Sequence, residues 1–191
     1  MSTVKLTGAT SGTISLVPTA IAGSNTITLP AETGTLRSTV SSGTVLQVVS
    51  TQTGAVATGT TSIPFDDTIP QNTEGDQYMT LAITPRSATS TLLINVVWFG
   101  GNSSIDYITC ALFQDSAASA LAAVTQVNGN ANWPLLDVLN HQMTSGTTSS
   151  TTFKVRVGRA SAGTITFNGI SSARYFGGVA ASSITITEVV P

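Results

Sequence analysis

Apolar residues in this chain recur mostly at alternate positions, in short runs closed by Gly, Pro, Asn or clusters of Ser and Thr. That period belongs to strands, whose successive side chains point to opposite faces. The longest apolar run, Leu92 to Phe99 (LLINVVWF), lies between SATST and the turn Gly100-Gly101-Asn102. It is rich in β-branched and aromatic residues, and only Asn95 interrupts it, which predicts a strand covered on both faces. The core of its own subunit is expected on one face and a neighbouring subunit on the other. Further strands are expected at Thr44–Ser50, Tyr78–Thr84, Asp106–Gln114, Phe153–Val157, Thr164–Phe167 and Ser183–Val189. An apolar segment runs from Trp133 to Met143, and residues 115–128 read as a small-residue loop and strand. About eight strands at this spacing predict an all-β fold, a jelly roll or related β-sandwich.

The first 42 residues have a different texture. Two short alternating segments, Thr13–Val17 and Thr26–Leu29, flank the turn Ala22-Gly23-Ser24-Asn25, and each is followed by a proline, Pro18 and Pro30. Proline ends strand pairing or confines it to an edge. The apolar side chains here are too few for an independent core, so Ile14, Leu16, Ile27 and Leu29 are expected to attach this β arm to another surface. The polar run Ser38–Gly43 is the expected hinge, giving an arm over 1–42 and a head over 43–191.

Composition narrows the function. Charged residues make up 8% of the 191, against roughly a quarter in ordinary domains. The net charge is −2, and a nucleic-acid or anionic-membrane surface would need clustered Lys and Arg. Polarity comes instead from 33 Thr and 23 Ser, and Thr suits half-buried pleated surfaces. A hydrophobic content of 41% is enough to build a core. The lone Cys110, inside YITCALF, reads as a small buried hydrophobe. The chain has no apolar run of membrane-spanning length, and MSTVKLTGATSG lacks a signal-peptide core. Synthesis in a cytoplasm without export is therefore expected, as for a virion component released by lysis.

The residue types that carry chemistry do not assemble into a site. Asp66 and Asp67 lie between two prolines without a calcium-loop pattern, so turn capping is expected rather than metal binding. The one histidine, His141, has Asp137 four residues before it but neither a GxSxG elbow nor an HExxH pair beside it. No enzyme activity, metal or cofactor is expected. Lys154 and Arg156, with Arg86, Arg159 and Arg174, read as solvated or as intersubunit pairs. Trp98 belongs to core or interface, whereas Trp133, beside Pro134, and Tyr175, in a Gly-flanked loop, are the candidate glycan contacts.

The stretch Ser62-Ile63-Pro64-Phe65-Asp66-Asp67-Thr68-Ile69-Pro70-Gln71-Asn72-Thr73-Glu74-Gly75 resembles a module in tail-fibre and other virion proteins of tailed bacteriophages. So do Ile83-Thr84-Pro85, Ser90-Thr91-Leu92-Leu93-Ile94 and the ending Ser183-Ile184-Thr185-Ile186-Thr187-Glu188. Gly23–Pro30 with Gly34-Thr35-Leu36 resembles a short element common in phage fibre and decoration proteins. The resemblance implies a homotrimeric jelly-roll head similar in outline to the tumour-necrosis-factor and C1q heads. Its implied interface is the face of strand 92–99 through Leu92, Ile94, Val96 and Trp98. With an arm and no long shaft, it implies a capsid decoration protein whose partners are itself and the major capsid protein, on the outer surface of a virion. The alternative is a tail-fibre tip that recognises a cell-surface glycan.

Overall fold

The computed structural model describes residues 4–7, 13–16 and 41–191. The chain divides into two compact units, residues 1–38 and 39–191. In the first, β1 (Val4–Thr7) and β2 (Thr13–Leu16) pair antiparallel, with Val4 opposite Leu16 and Leu6 opposite Ile14. The segment expected over Thr13–Val17 contains β2, and β1 was not among the expected strands. The strand expected over Thr26–Leu29, with Ile27 and Leu29, lies outside the described residues.

The second unit contains β3 (Val45–Thr53), β4 (Ala57–Gly59), β5 (Asp76–Ile83), β6 (Thr91–Asn102), β7 (Asp106–Gln114) and β8 (Ala122–Asn128). It continues with β9 (Pro134–Thr144), β10 (Thr151–Arg159), β11 (Ile165–Phe167), β12 (Gly169–Ile170), β13 (Ala173–Arg174) and β14 (Ser182–Val189). One sheet has the order β3-β14-β6-β9, extended at the far end of β6 by β11 and β4. The other has the order β5-β10-β7-β8. Apart from the β7–β8 hairpin, successive long strands change sheet, which is the double Greek key of a jelly roll. After β11 the chain makes a small hairpin in which β12 and β13, two residues each, pair antiparallel.

Between the sheets lie Leu92, Ile94, Val96 and Trp98 of β6, with Ile184 and Ile186 of β14, facing Ile108, Cys110 and Leu112 of β7 and Phe153, Val155 and Val157 of β10. β6 therefore alternates: its even positions are buried, while Leu93 is exposed and Asn95, Val97 and Phe99 are half-buried. The strand covered on both faces is β7. Its outward Ala111 and Phe113 are buried under Ile63, which belongs to the Pro- and Asp-rich connection between β4 and β5.

That connection is strapped down by backbone bonds from Ile63 N to Arg159 O (2.9 Å) and from Gly75 N to Ser62 O (3.0 Å). Gly75, at φ +60°, lies so close to the Ile63 side chain that a Cβ would collide with it. Asp66 Oδ1 accepts from the Thr68 amide at 2.8 Å and from its hydroxyl at 2.5 Å, which holds Asp66 below the usual carboxylate range. This is the expected turn cap. Arg156 donates to the carbonyls of Glu74 (2.7 Å) and Gly75 (2.6 Å), and Lys154 donates to that of Asp115 (2.6 Å). These cations thus fasten loops of their own subunit, where solvated or intersubunit roles had been expected. Arg159 is buried and pairs with Asp106 at 3.0 Å. Burial alone would raise Asp106, but bonds from Ser161, the Tyr107 amide and Arg159 outweigh it and lower it.

A buried carboxylate closes the other end. Glu188 of β14 accepts from Gln47 Nε2 (2.6 Å), Ser90 Oγ (2.6 Å), Arg86 N (2.9 Å) and Ser87 N (3.2 Å). Burial pushes it up, but these donors prevail and leave it below its ordinary value. The ITP, STLLI and ITITE segments meet here, so they form a clamp on the β5–β6 connection. Glu188→Ala orphans several donors and should destabilise the head by about 3 kcal/mol in urea titrations. Because the folded-state value is lowered, the carboxylate's contribution is present above the ordinary 4.5 and lost as pH falls through the folded value. Glu188→Gln should flatten that part of the acid limb.

Candidate interaction surface

In the β3-β14-β6-β9 sheet, the register places side chains in rows across four strands. Val48, Thr187, Leu93 and Gln142 form one row, and Ser50, Thr185, Asn95 and Asn140 the next. Gln52, Ser183, Val97 and Val138 form a third, and Phe99 stands opposite Leu136 beyond it. Because the alternate positions are core, all of these point away from the sandwich. Val48 is 57% exposed, Leu93 40%, Leu136 59% and Val138 46%. The middle row is tied by bonds from Asn95 Nδ2 to Asn140 Oδ1 (2.8 Å) and between the Ser50 and Thr185 hydroxyls (2.9 Å).

The rows contain no Asp, Glu, Lys or Arg. Leu93, Asn95, Asn140, His141, Thr185 and Thr187 help line a shallow depression on this sheet. Interface centres are depleted of charge and combine apolar contact with hydrogen-bonding groups, and contiguous exposed apolar surface marks interaction sites. The surface has the chemistry of binding. Among the described residues, no three His, Cys, Asp or Glu side chains gather as metal ligands.

The expected interface residues are placed differently. Leu92, Ile94, Val96 and Trp98 are all within the subunit's own core, at most 2% exposed. The face of strand 92–99 that a partner could touch belongs to the odd positions. The reason is the period of two: a strand with one face on the core presents only the other outward. Trp133 is 59% exposed on the turn before β9, where its carbonyl accepts from Asn128 Nδ2 at 3.3 Å. Tyr175 is exposed on another turn, edge-on to Phe176 with ring centroids 6.0 Å apart. No ring stack joins Trp133 to Tyr175 among the described residues. Of the arm positions, Ile14 and Leu16 lie in β2.

No family model matches the sequence, and no curated protein matches it. Among solved structures, a chain of Bacillus endospore appendages, a family of disulfide-linked pili, is 12% identical with a TM-score of 0.29, over 80% of this chain and 98% of its own. The VP2 subviral particle of infectious bursal disease virus is 12% identical with a TM-score of 0.33, over 94% of this chain and 47% of its own. Tailspike protein 4 of bacteriophage CBA120 is 16% identical with a TM-score of 0.26, over 64% and 19%. Overlays this loose say nothing of what the chain does.

Sequence reasoning missed two surface features. The uncharged outer rows were legible as strands whose solvent positions carry Thr, Ser, Asn, Gln and Val where Lys and Glu would normally stand. The second is a stack between Phe65 and Tyr107, with ring centroids 4.0 Å apart and both rings exposed. It joins a loop residue to a strand residue, and no local pattern announces it.

The two faces of β6 should respond oppositely to charge. Val96→Asp buries an unpaired carboxylate and should cost about 3–5 kcal/mol, enough to unfold much of the population. Leu93→Asp, on the outward face, should leave the fold of the single head within about 1 kcal/mol of the unsubstituted monomer. Guanidinium unfolding followed by the fluorescence of buried Trp98 distinguishes them.

Proposed function

We infer that this chain is a structural subunit of a virus particle, a homotrimeric jelly-roll head that decorates the capsid shell of a tailed phage. The observation that carries the reading is the uncharged four-strand outer face of the β3-β14-β6-β9 sheet. Three such faces turned towards a common axis would bury Val48, Leu93 and Val138 and pair the Asn95–Asn140 row with its copies. A closed ring of identical subunits satisfies every copy of the face. The segments that resemble virion proteins support the setting; in this head they form the Glu188 clamp and the Ile63 strap. The first unit supplies the attachment, with Ile14, Leu16, Ile27 and Leu29 against the major capsid protein. Its short strands could extend sheets of the shell. The function is mechanical, reinforcing the shell through buried apolar area, without a catalytic step, cofactor, nucleic acid or membrane.

A second reading is supported by the exposure of Trp133 and Tyr175. In it the same head sits at a tail tip, and these rings stack on a surface glycan.

The copy number of the chain per purified particle separates the two. A number comparable to the major shell protein supports decoration, and one comparable to tail components supports adhesion. On the first reading, Leu93→Lys with Val138→Lys should turn the trimer into a folded monomer in sedimentation velocity. Deletion of residues 2–38 should leave the trimer intact and end shell binding. A wild-type chain that sediments as a monomer defeats the trimer, and a deletion variant that still decorates shells defeats the arm's role.

A further inference from the structure

A cleft runs along the outer face of the β5-β10-β7-β8 sheet, between the strap that carries Ile63 and the edge strand β8. One part, about 370 Å³, lies between residues 66–70 of the strap and residues 120–123. A second, about 170 Å³, continues past Phe65 over Thr109 and Thr125. The two parts share Asp66, Thr68, Pro70 and Ala123. Together they have the size of a small-ligand site.

The strap wall is fixed by backbone bonds from Ala120 N to Pro70 O (2.9 Å) and from Asn72 N to Ala118 O (2.7 Å). The floor is low because the outward positions that line it on β7 and β8 are Thr109, Thr125 and Ala123, whose side chains are short. Phe65 lines the cleft and lies flat on Tyr107, with ring planes 5° apart. The two rings are 53% and 41% exposed. A ring pair packed this closely and still open to solvent presents a fixed apolar surface to a ligand.

Hydrogen-bonding capacity in the cleft is one-sided. Thr109 Oγ1 donates to Thr125 Oγ1 (3.2 Å), Thr125 Oγ1 to the Ile108 carbonyl (2.9 Å) and Thr68 Oγ1 to Asp66 Oδ1 (2.5 Å). All three hydroxyl protons are engaged inside the protein, so these side chains offer a ligand only oxygen lone pairs. Asp66 Oδ2 and the exposed Asp67 carboxylate add acceptors, and no Lys, Arg or His lines either part. A ligand that fits must bring the donors. Phosphate, sulfate or carboxylate groups would meet two Asp charges with no cation to balance them. A guanidinium prefers a two-oxygen fork, and one oxygen of Asp66 is already committed to Thr68. A sugar ring brings several O–H donors and an apolar C–H face that stacks on an aromatic ring.

We propose that this cleft binds a neutral saccharide, with one sugar ring against Phe65 and its hydroxyls donating to Asp67, Asp66 Oδ2 and Thr109. Tyr107 is a positioning residue that holds the Phe65 ring. The site shares no residue with the turns of Trp133 and Tyr175, and it is the same whether the head decorates a shell or ends a tail.

The test screens the full chain on an array of neutral hexose, deoxyhexose and N-acetylhexosamine oligomers beside sulfated and sialylated ones. The best neutral ligand is then titrated by calorimetry against variants at positions 65, 67 and 123, all exposed, with Trp98 fluorescence as the check on folding. Phe65→Ala, which removes the ring, and Ala123→Gln, which fills the floor, should each weaken binding about tenfold. Asp67→Asn should weaken it less. Tyr107→Ala should weaken binding and Tyr107→Phe should restore it, while Trp133→Ala should leave it unchanged. An array without a neutral hit overturns the proposal. So does a preference for sulfated or sialylated glycans, or displacement of the sugar by hexalysine, since either contradicts the ligand class. Binding lost in Trp133→Ala and kept in Ala123→Gln overturns the cleft as the site and leaves the tail-tip reading standing.

Discussion

The head unit depends on one packing contact. The inner row of β6, Leu92, Ile94, Val96 and Trp98, is sealed against β7 and β10 of the opposite sheet. Each fully buried large apolar side chain contributes roughly 1.5–3 kcal/mol relative to exposure, and this row sits at the centre of its sheet, with β14 on one side and β9 on the other. The jelly-roll connectivity follows from it, because strands that change sheet at each connection can bury one face each without leaving a sheet alone in water. Where a second layer was needed, β7 found it within its own chain, under Ile63.

The few charges inside are handled in different ways. Asp106 meets a cation, Arg159. Glu188 meets side-chain and backbone donors and no cation. Asp137 lacks a partner on one oxygen and is pushed up. The first two arrangements hold connections in place, the β7–β10 end and the β5–β6 turn. The third stands on the inner row of edge strand β9. Several of the few charged side chains, among them Asp66, Asp106, Arg156, Arg159 and Glu188, fasten loops or connections, and the outward rows of the β3-β14-β6-β9 sheet carry no Asp, Glu, Lys or Arg.

That face stands apart from the rest of the head in its chemistry. It is broad, backed by a rigid core and tied by amide and hydroxyl bonds. Surfaces of this chemistry associate through shape and burial, with little contribution from long-range steering. The exposed Trp133 and Tyr175 stand on separate turns, away from this face.

Much of the fold was legible in the chain. Period-two alternation in SITITE, FKVRV and YMTLAI, bounded by Pro and Gly, determined strands, and their number and spacing determined a sandwich. The pair of prolines around Asp66 determined an ordered, capped connection. What alternation leaves open is which face looks inward: in LLINVVWF both rows are apolar, so Leu92, Ile94, Val96 and Trp98 were as eligible for an interface as Leu93 and Val97. Only the pairing of β6 with β14 and β9, and the sheet stacked beneath, assigned the even row to the core. The buried state of Asp137 was equally closed to sequence, since a carboxylate in a strand ordinarily faces water. The roles of Glu188, Lys154 and Arg156 depend on residues tens of positions away. Local sequence specifies strands through steric and turn preferences that act over a few residues, whereas burial, pairing and pKa depend on contacts made only once the two sheets close.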